Sequence, residues 1–216
     1  VNPTFNIVLL SFFFSVFVAV VVAIIRGAYF LPISNPAEIR DNKINLNISG
    51  VIGKVRTDTD KDQTRFEQSI ESFIVNLEND TKNLRNSCKS VAIVSPTASN
   101  GKSFVSRTVA TRLANLGKRV ILIDGDYKRG DQHKDFNLNK ITSKDFFELS
   151  QNVDKYKTNI DNLYVVPKIT RLSSSFEFLY DPKFRSTFLS LKESFDYIIL
   201  DTAPVLSVSD TMIMVS

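Results

Sequence analysis

The sequence predicts an α/β fold: a mostly parallel, doubly wound sheet preceded by one transmembrane helix. Three observations predict it. The stretch "FNIVLLSFFFSVFVAVVVAII", Phe5 to Ile25, carries no charge. Four short runs, "SVAIVS" (90–95), "RVILID" (119–124), "NLYVVP" (162–167) and "DYIILD" (196–201), are nearly unbroken apolar segments. Strands buried on both faces of a parallel sheet have this pattern. Between the first two runs, "GKSFVSRTVATRLANLG" keeps Val105, Val109, Leu113 and Leu116 at helical spacing, and Gly117 suits the helix C-terminus.

Composition bounds the answer. The chain has 216 residues, enough for one full-sized core with an accessory segment. The net charge of +4 is spread along the chain with acidic residues interleaved, so no basic stripe argues for nucleic acid. One cysteine, Cys88, excludes a disulfide framework and a cysteine metal site within a monomer, fits a reducing cytoplasm, and reads as an inert thiol. The chain opens on Val1 and stops inside the apolar run "TMIMVS", which points to a piece of a longer protein. No internal repeat or low-complexity tract appears.

Taken in order, the first element is the apolar segment, whose polar members are Asn6, Ser11 and Ser15. It is long enough to span a bilayer and lacks the basic start and small-residue cleavage site of a signal peptide. Arg26, Arg40, Lys43, Lys54 and Arg56 follow it, while Val1 to Thr4 carry no charged side chain. By the positive-inside tendency the body that follows is cytoplasmic. Residues 1–26 form the transmembrane segment and 27–64 a tether, broken by Pro32, Pro36, Gly50 and Gly53, in which "ISGVIGKV" is a short apolar stop. The domain proper covers 65–216. It begins with Phe66, Ile70, Phe73, Ile74 and Leu77 on one face, an amphipathic helix from Arg65 to about Asn79.

The chemistry concentrates in "SPTASNGKSF", residues 95–104, between the first strand and the helix. Gly101 lets the backbone approach phosphate oxygens, amides at the helix N-terminus favour an anion, Lys102 reaches the outer phosphates, and the Ser103 hydroxyl suits Mg²⁺. The nucleotide-binding segment is therefore Ser99, Asn100, Gly101, Lys102, Ser103 and Phe104. The usual G-x-x-x-x-G-K-[ST] pattern would put its first glycine where this chain has Pro96. Asp124 ends the second strand, Asp126 follows two residues later, and Asp201 ends a later strand. In a doubly wound sheet the C-terminal strand ends meet at one edge, so all three carboxylates are expected to face the loop and its metal ion. The fold expected is thus a P-loop NTPase.

With these motifs in place, the chain resembles the bacterial tyrosine kinases that form the cytoplasmic domain of polysaccharide co-polymerases. "SPTASNGKSF" matches their first nucleotide motif and "VILIDGDYKRGDQH" the second, D-x-D followed by basic residues. "YIILDTAPVLSVSD" matches the third, with Ala203 where the family has a proline. The span, "ISGVIGKV" and "SSSFEFLYDPKF" also correspond. The resemblance implies ATP and Mg²⁺, with Lys102, Asp124 and Asp126 catalytic and Ser103, Asp126 and Asp201 at the metal. Asp124 and Asp126 divide metal positioning and activation of a tyrosine hydroxyl between them. It also implies an inner-membrane protein that forms a homo-oligomeric ring, phosphorylates a neighbour's tyrosine-rich tail and governs export and polymerisation of capsule or exopolysaccharide.

Some features depart from that pattern. "RFEQSIESFIVNL" keeps Glu67 but has Ile70 and Phe73 where ring-forming arginines are expected, which argues against the ring contact. The six tyrosines, Tyr29, Tyr127, Tyr156, Tyr164, Tyr180 and Tyr197, are scattered. His133 reads as a surface or hydrogen-bonding residue. Lys128 and Arg129 touch phosphate or lipid, or form a solvated loop, and the phenylalanines sit at core spacing without forming a stacking platform. Two other classes compete: an ATPase switch of the partitioning or septum-positioning type, disfavoured because its signature lysine falls at Thr97, and a co-polymerase subunit that binds ATP without chemistry.

Overall fold

The computed structural model describes residues 3–30, 52, 60–82, 87–170 and 172–204. The chain divides into two units, Val1–Val51 and Ile52–Ser216. The "ISGVIGKV" tether element, apart from Ile52, and the segment after Pro204 lie outside the described residues.

The first unit holds α1, Pro3–Phe30, a 28-residue helix. At 1.5 Å per residue it is about 42 Å long, more than the roughly 30 Å hydrocarbon core of a bilayer. It is long and apolar enough to cross a membrane between Ile7 and Arg26. The Ser11 and Ser15 hydroxyls donate to the carbonyls of Val8 (2.9 Å) and Phe12 (2.8 Å), so these two hydroxyls are satisfied within the helix.

In the second unit, α2 runs Asp60–Asp80, five residues ahead of the expected start. Its first turn, "DKDQT", has no apolar residue, so periodicity marks only the face that is buried. Phe66, Ile70 and Ile74 lie on that face and are buried. The sheet comprises β1 (Lys89–Ile93), β2 (Val120–Asp124), β3 (Leu163–Val166) and β4 (Tyr197–Asp201), in the order β1-β4-β2-β3. Every pairing is parallel. The second, third and fourth strands are buried throughout, which is why their sequences read as unbroken apolar runs.

Alternate strand residues feed two cores, as the period of two requires. Val120, Leu122, Leu163, Val165, Tyr197 and Ile199 meet α2 and Val109 and Leu113 of α3, Lys102–Asn115. Ile121, Ile123, Val166, Ile198 and Leu200 face the opposite layer. That layer is built from α5 (Ser143–Phe147), α6 (Leu149–Asn152), α7 (Ser175–Tyr180) and α8 (Pro182–Ser194). The short α4, Gln132–Asp135, lies between β2 and α5. Helices on both faces make the sheet doubly wound, as expected. Helix α3 stops at Gly117, φ 80°, where the Gly117 and Lys118 N–H groups bond Ala114 and Leu113 carbonyls (2.9 and 3.1 Å), a Schellman cap.

At the N-terminal end of the sheet, the Tyr197 hydroxyl bonds the Glu78 carboxylate and accepts from Lys89 Nζ at 3.1 Å. Glu78 and Lys89 also pair directly at 3.3 Å. Nearby, burial pushes the Cys88 thiol up to about 11, consistent with an inert sulfur.

Candidate active site

The C-terminal ends of β1, β2 and β4 converge as the sequence predicted. In register, Ile93 pairs with Asp201 and Asp124 with Asp201. After Ile93 the chain enters the 95–101 loop, which turns through two left-handed residues, Ser99 (φ 61°) and Gly101 (φ 80°). A side chain at Gly101 would meet open space, so the glycine is needed for its backbone angle. Gly101 caps α3 without a side-chain hydrogen bond, and no acidic residue occupies the first turn. Those amides therefore present an open anion site.

Pro96 leaves the loop short of its customary glycine, and side chains supply the turn instead. The Ser95 hydroxyl donates to the Thr97 carbonyl at 2.6 Å, and Asn100 Nδ2 donates to Thr97 Oγ1 at 3.0 Å. Lys102 Nζ donates to Ser95 Oγ at 2.9 Å. The ammonium is thus drawn toward the end of β1 and tied to its hydroxyl.

A cleft of about 260 Å³ is lined by Ser99, Asn100, Gly101, Lys102, Ser103 and Phe104, together with Asp126, Arg129 and Pro204. Of the three expected carboxylates, Asp126 lines this cleft. Its Oδ1 accepts from the N–H groups of Lys128 (3.2 Å) and Arg129 (2.8 Å), an Asx turn that aims the following basic loop. Asp124 and Asp201 stand behind it, 1% and 0% exposed. They are brought together with each other without lining the cleft.

Burial, with Asp201 close by, pushes Asp124 up to about 7, although the N–H groups of Gln132 and Asp126 favour its anion. Burial also raises Asp201, with Gln132, Ser103 and the Lys102 charge pulling it back. Two carboxylates in one dry pocket disfavour a second negative charge, and a cation relieves both. Asp201 Oδ1 is buried without a hydrogen-bond partner. Among the described residues no three His, Cys, Asp or Glu side chains group as a metal site. A hydroxyl at Ser103 and that orphaned oxygen fit Mg²⁺, which takes few protein ligands beside substrate phosphates and water.

Sequence reasoning missed Gln132, Gly130 and Ser95. Gln132 is fully buried, and Gly130 leaves no room for a Cβ because the Asp124 carboxyl fills that space. Nothing at short range marks either role, since their partners are distant in sequence or belong to a turn. Of the basic pair, Arg129 lines the cleft, whereas Lys128 is exposed and its carbonyl accepts from Lys168 Nζ at 2.6 Å. His133 Nδ1 is buried without a hydrogen-bond partner. Burial first and then Lys140 hold that imidazole below its ordinary range. Among tyrosines with described side chains, Tyr156, Tyr164 and Tyr197 are buried, Tyr127 is half-buried against Phe178, and Tyr180 is exposed.

Comparison with known proteins returns the resemblance carried by the motifs. A tyrosine-protein kinase of Acinetobacter johnsonii is 35% identical over 129 residues, covering 57% of this chain and 17% of that protein. The putative tyrosine-protein kinase CapB of Staphylococcus aureus is 31% identical over 134 residues, 61% of this chain and 59% of the relative. CpsD of Streptococcus pneumoniae, a tyrosine-protein kinase, is 34% identical over 131 residues, 58% and 57% of the two chains. The chain thus spans less than two thirds of these relatives. Among solved structures, the BceF tyrosine kinase domain superposes with a TM-score of 0.68 at 21% identity, covering 85% of this chain and 82% of its own. The kinase domain of Escherichia coli ETK gives 0.69 at 19%, covering 84% and 77%. Both share the fold. Residues 88–216, which contain all three nucleotide motifs, match the AAA domain model, and the chain belongs to that family.

Proposed function

We propose that this chain is the ATP-dependent tyrosine kinase of a capsule or exopolysaccharide system, anchored in the bacterial inner membrane with its catalytic domain in the cytoplasm. In this reading residues 1–26 are the anchor, 27–64 the tether and 65–216 the kinase domain. The observation that carries it is the single cleft that gathers Ser99 to Phe104 with Asp126, backed by the buried pair Asp124 and Asp201. The names of the similar proteins, tyrosine-protein kinases, support the choice of acceptor.

Phosphoryl transfer asks for positioning and charge neutralisation more than covalent chemistry. The amides of Ser99 to Phe104 and the α3 N-terminus hold the phosphates, and Lys102 leaves Ser95 to pair with the outer ones. Ser103, Asp126 and Asp201 would hold Mg²⁺, which when bound would neutralise charge on the phosphate oxygens. In this reading Asp126, which lines the cleft, takes the proton of an incoming tyrosine hydroxyl; its place in the lining supports that choice over Asp124. Asp124, bonded by two backbone N–H groups, positions the turn that carries Asp126. The phenol oxygen bonds to the γ-phosphorus, the bond to the ADP oxygen breaks, and the proton passes to the carboxylate.

The partners in this reading are further copies of the chain and the polymerisation and export machinery. Ring contact through α2 is not favoured: Ile70 is buried in the chain's own core, and Glu67 pairs with Arg112 at 3.4 Å. Replacing Lys102 with Met tests the kinase directly. Phosphotyrosine on the protein or on its partners should disappear with that variant, and unchanged phosphotyrosine would leave a nucleotide-binding subunit without chemistry.

A further inference from the structure

Gln132 joins the three nucleotide motifs at one buried point. Its side-chain nitrogen donates to Asp201 Oδ2 at 2.9 Å, to the Ser103 carbonyl at 3.0 Å and to the Ser106 hydroxyl at 3.3 Å. Its backbone N–H donates to Asp124 Oδ2 at 3.2 Å. The residue is 0% exposed, so water does not compete for these bonds. The side chain thereby ties the first turns of α3 to the end of β4, and the backbone of the same residue adds the end of β2.

The amide carries two hydrogens for three acceptors, and the shortest of the three bonds goes to the carboxylate. With Oδ2 held by Gln132, Asp201 keeps Oδ1 buried without a hydrogen-bond partner. Gln132 Oε1 is likewise buried without a hydrogen-bond partner, and two orphaned oxygens in one dry site are a costly arrangement. It becomes favourable when a cation arrives.

We propose that Gln132 is a positioning residue that orients Asp201 toward the Mg²⁺ of the bound nucleotide, while holding the Ser103 turn in register with it. The inference rests on the nucleotide and Mg²⁺ reading of this cleft and not on the identity of the phosphate acceptor. Gln132 is fully buried and is not among the residues lining the cleft, so its effect passes through Asp201 and Ser103. Outer-shell hydrogen-bond partners of this kind typically change metal affinity by about 10- to 100-fold when removed.

The test uses the full 216-residue chain in detergent and measures binding of a fluorescent ADP analogue, with Mg²⁺ and with EDTA. Gln132→Met keeps the length of the side chain and removes its donors. It should weaken Mg²⁺-dependent binding by about ten-fold or more while leaving binding in EDTA close to wild type. Ser106→Ala removes one acceptor of Gln132 without touching Asp201 and should keep the Mg²⁺ dependence. If Gln132→Met does not fold, Gln132→Asn, whose amide falls one methylene short of Asp201, gives the same reading.

Wild-type Mg²⁺ dependence in the folded Gln132 variant overturns the proposal. So does equal weakening with and without Mg²⁺, which would mean that Gln132 acts on the fold. A wild-type chain that gains nothing from Mg²⁺ overturns both this inference and the nucleotide reading. Intact Mg²⁺ dependence without phosphotyrosine would defeat the kinase alone.

Discussion

Asp124 shows how the site stores a charge problem for its ligand to solve. Its carboxyl is pushed up to about 7 by burial and by Asp201, against an ordinary value near 3.9. A carboxyl raised on folding favours the folded state most in its neutral form, so its contribution is fully present below the ordinary value and lost as pH rises through about 7. Between about pH 4 and pH 7 the nucleotide-free protein should therefore lose thermal stability relative to Asp124→Asn, which stays neutral. Unfolding curves that stay parallel for the two proteins across that range would contradict the account.

Gly130 gives a second residue-scale prediction. Any side chain there collides with the Asp124 carboxyl, so Gly130→Ala should displace that carboxyl and weaken nucleotide binding, while far-ultraviolet circular dichroism stays close to wild type. An alanine variant that binds as wild type would mean that the carboxyl moves at no cost. Lys102, Ser103 and Asp126 were legible because strand, loop and helix fix their places along the chain. Gln132 was not, since its acceptors lie 29, 26 and 69 residues away.

At the scale of elements, apolar patterning was an accurate guide. All four strands appear within two residues of the expected runs; three are buried along their whole length, whereas β1 is only partly buried and does not meet the expectation of burial on both faces. The start of α2 escaped because its first turn buries no apolar side chain. What α2 does bury is decisive: Ile70, 0% exposed, packs with Val109 and Leu113 against the sheet. Ile70→Ala should cost about 2–5 kcal/mol, seen as a lower denaturation midpoint. A cost below about 1 kcal/mol would show that α2 is held mainly by other contacts. The Glu78, Lys89 and Tyr197 cluster at the far end of the sheet was not legible, for it joins three elements through polar tips that no periodicity marks.

For the whole molecule, an exposed apolar α1 precedes the α/β body in sequence, and the proposed function makes that body the nucleotide-binding part. The proposed anchoring predicts that the chain sediments with membranes and resists alkaline extraction, and that removing residues 1–26 releases it. Extraction of the intact chain by carbonate would contradict an integral anchor. The central claim is that the cleft sends the γ-phosphate to tyrosine and not to water. The most direct measurement is to incubate the purified chain with labelled ATP, Mg²⁺ and a glutamate–tyrosine copolymer, and to count label on tyrosine against free phosphate. The account predicts phosphotyrosine that grows with acceptor concentration and disappears in Lys102→Met. Free phosphate alone, at a rate indifferent to the copolymer, would contradict it and mark the protein as an ATPase.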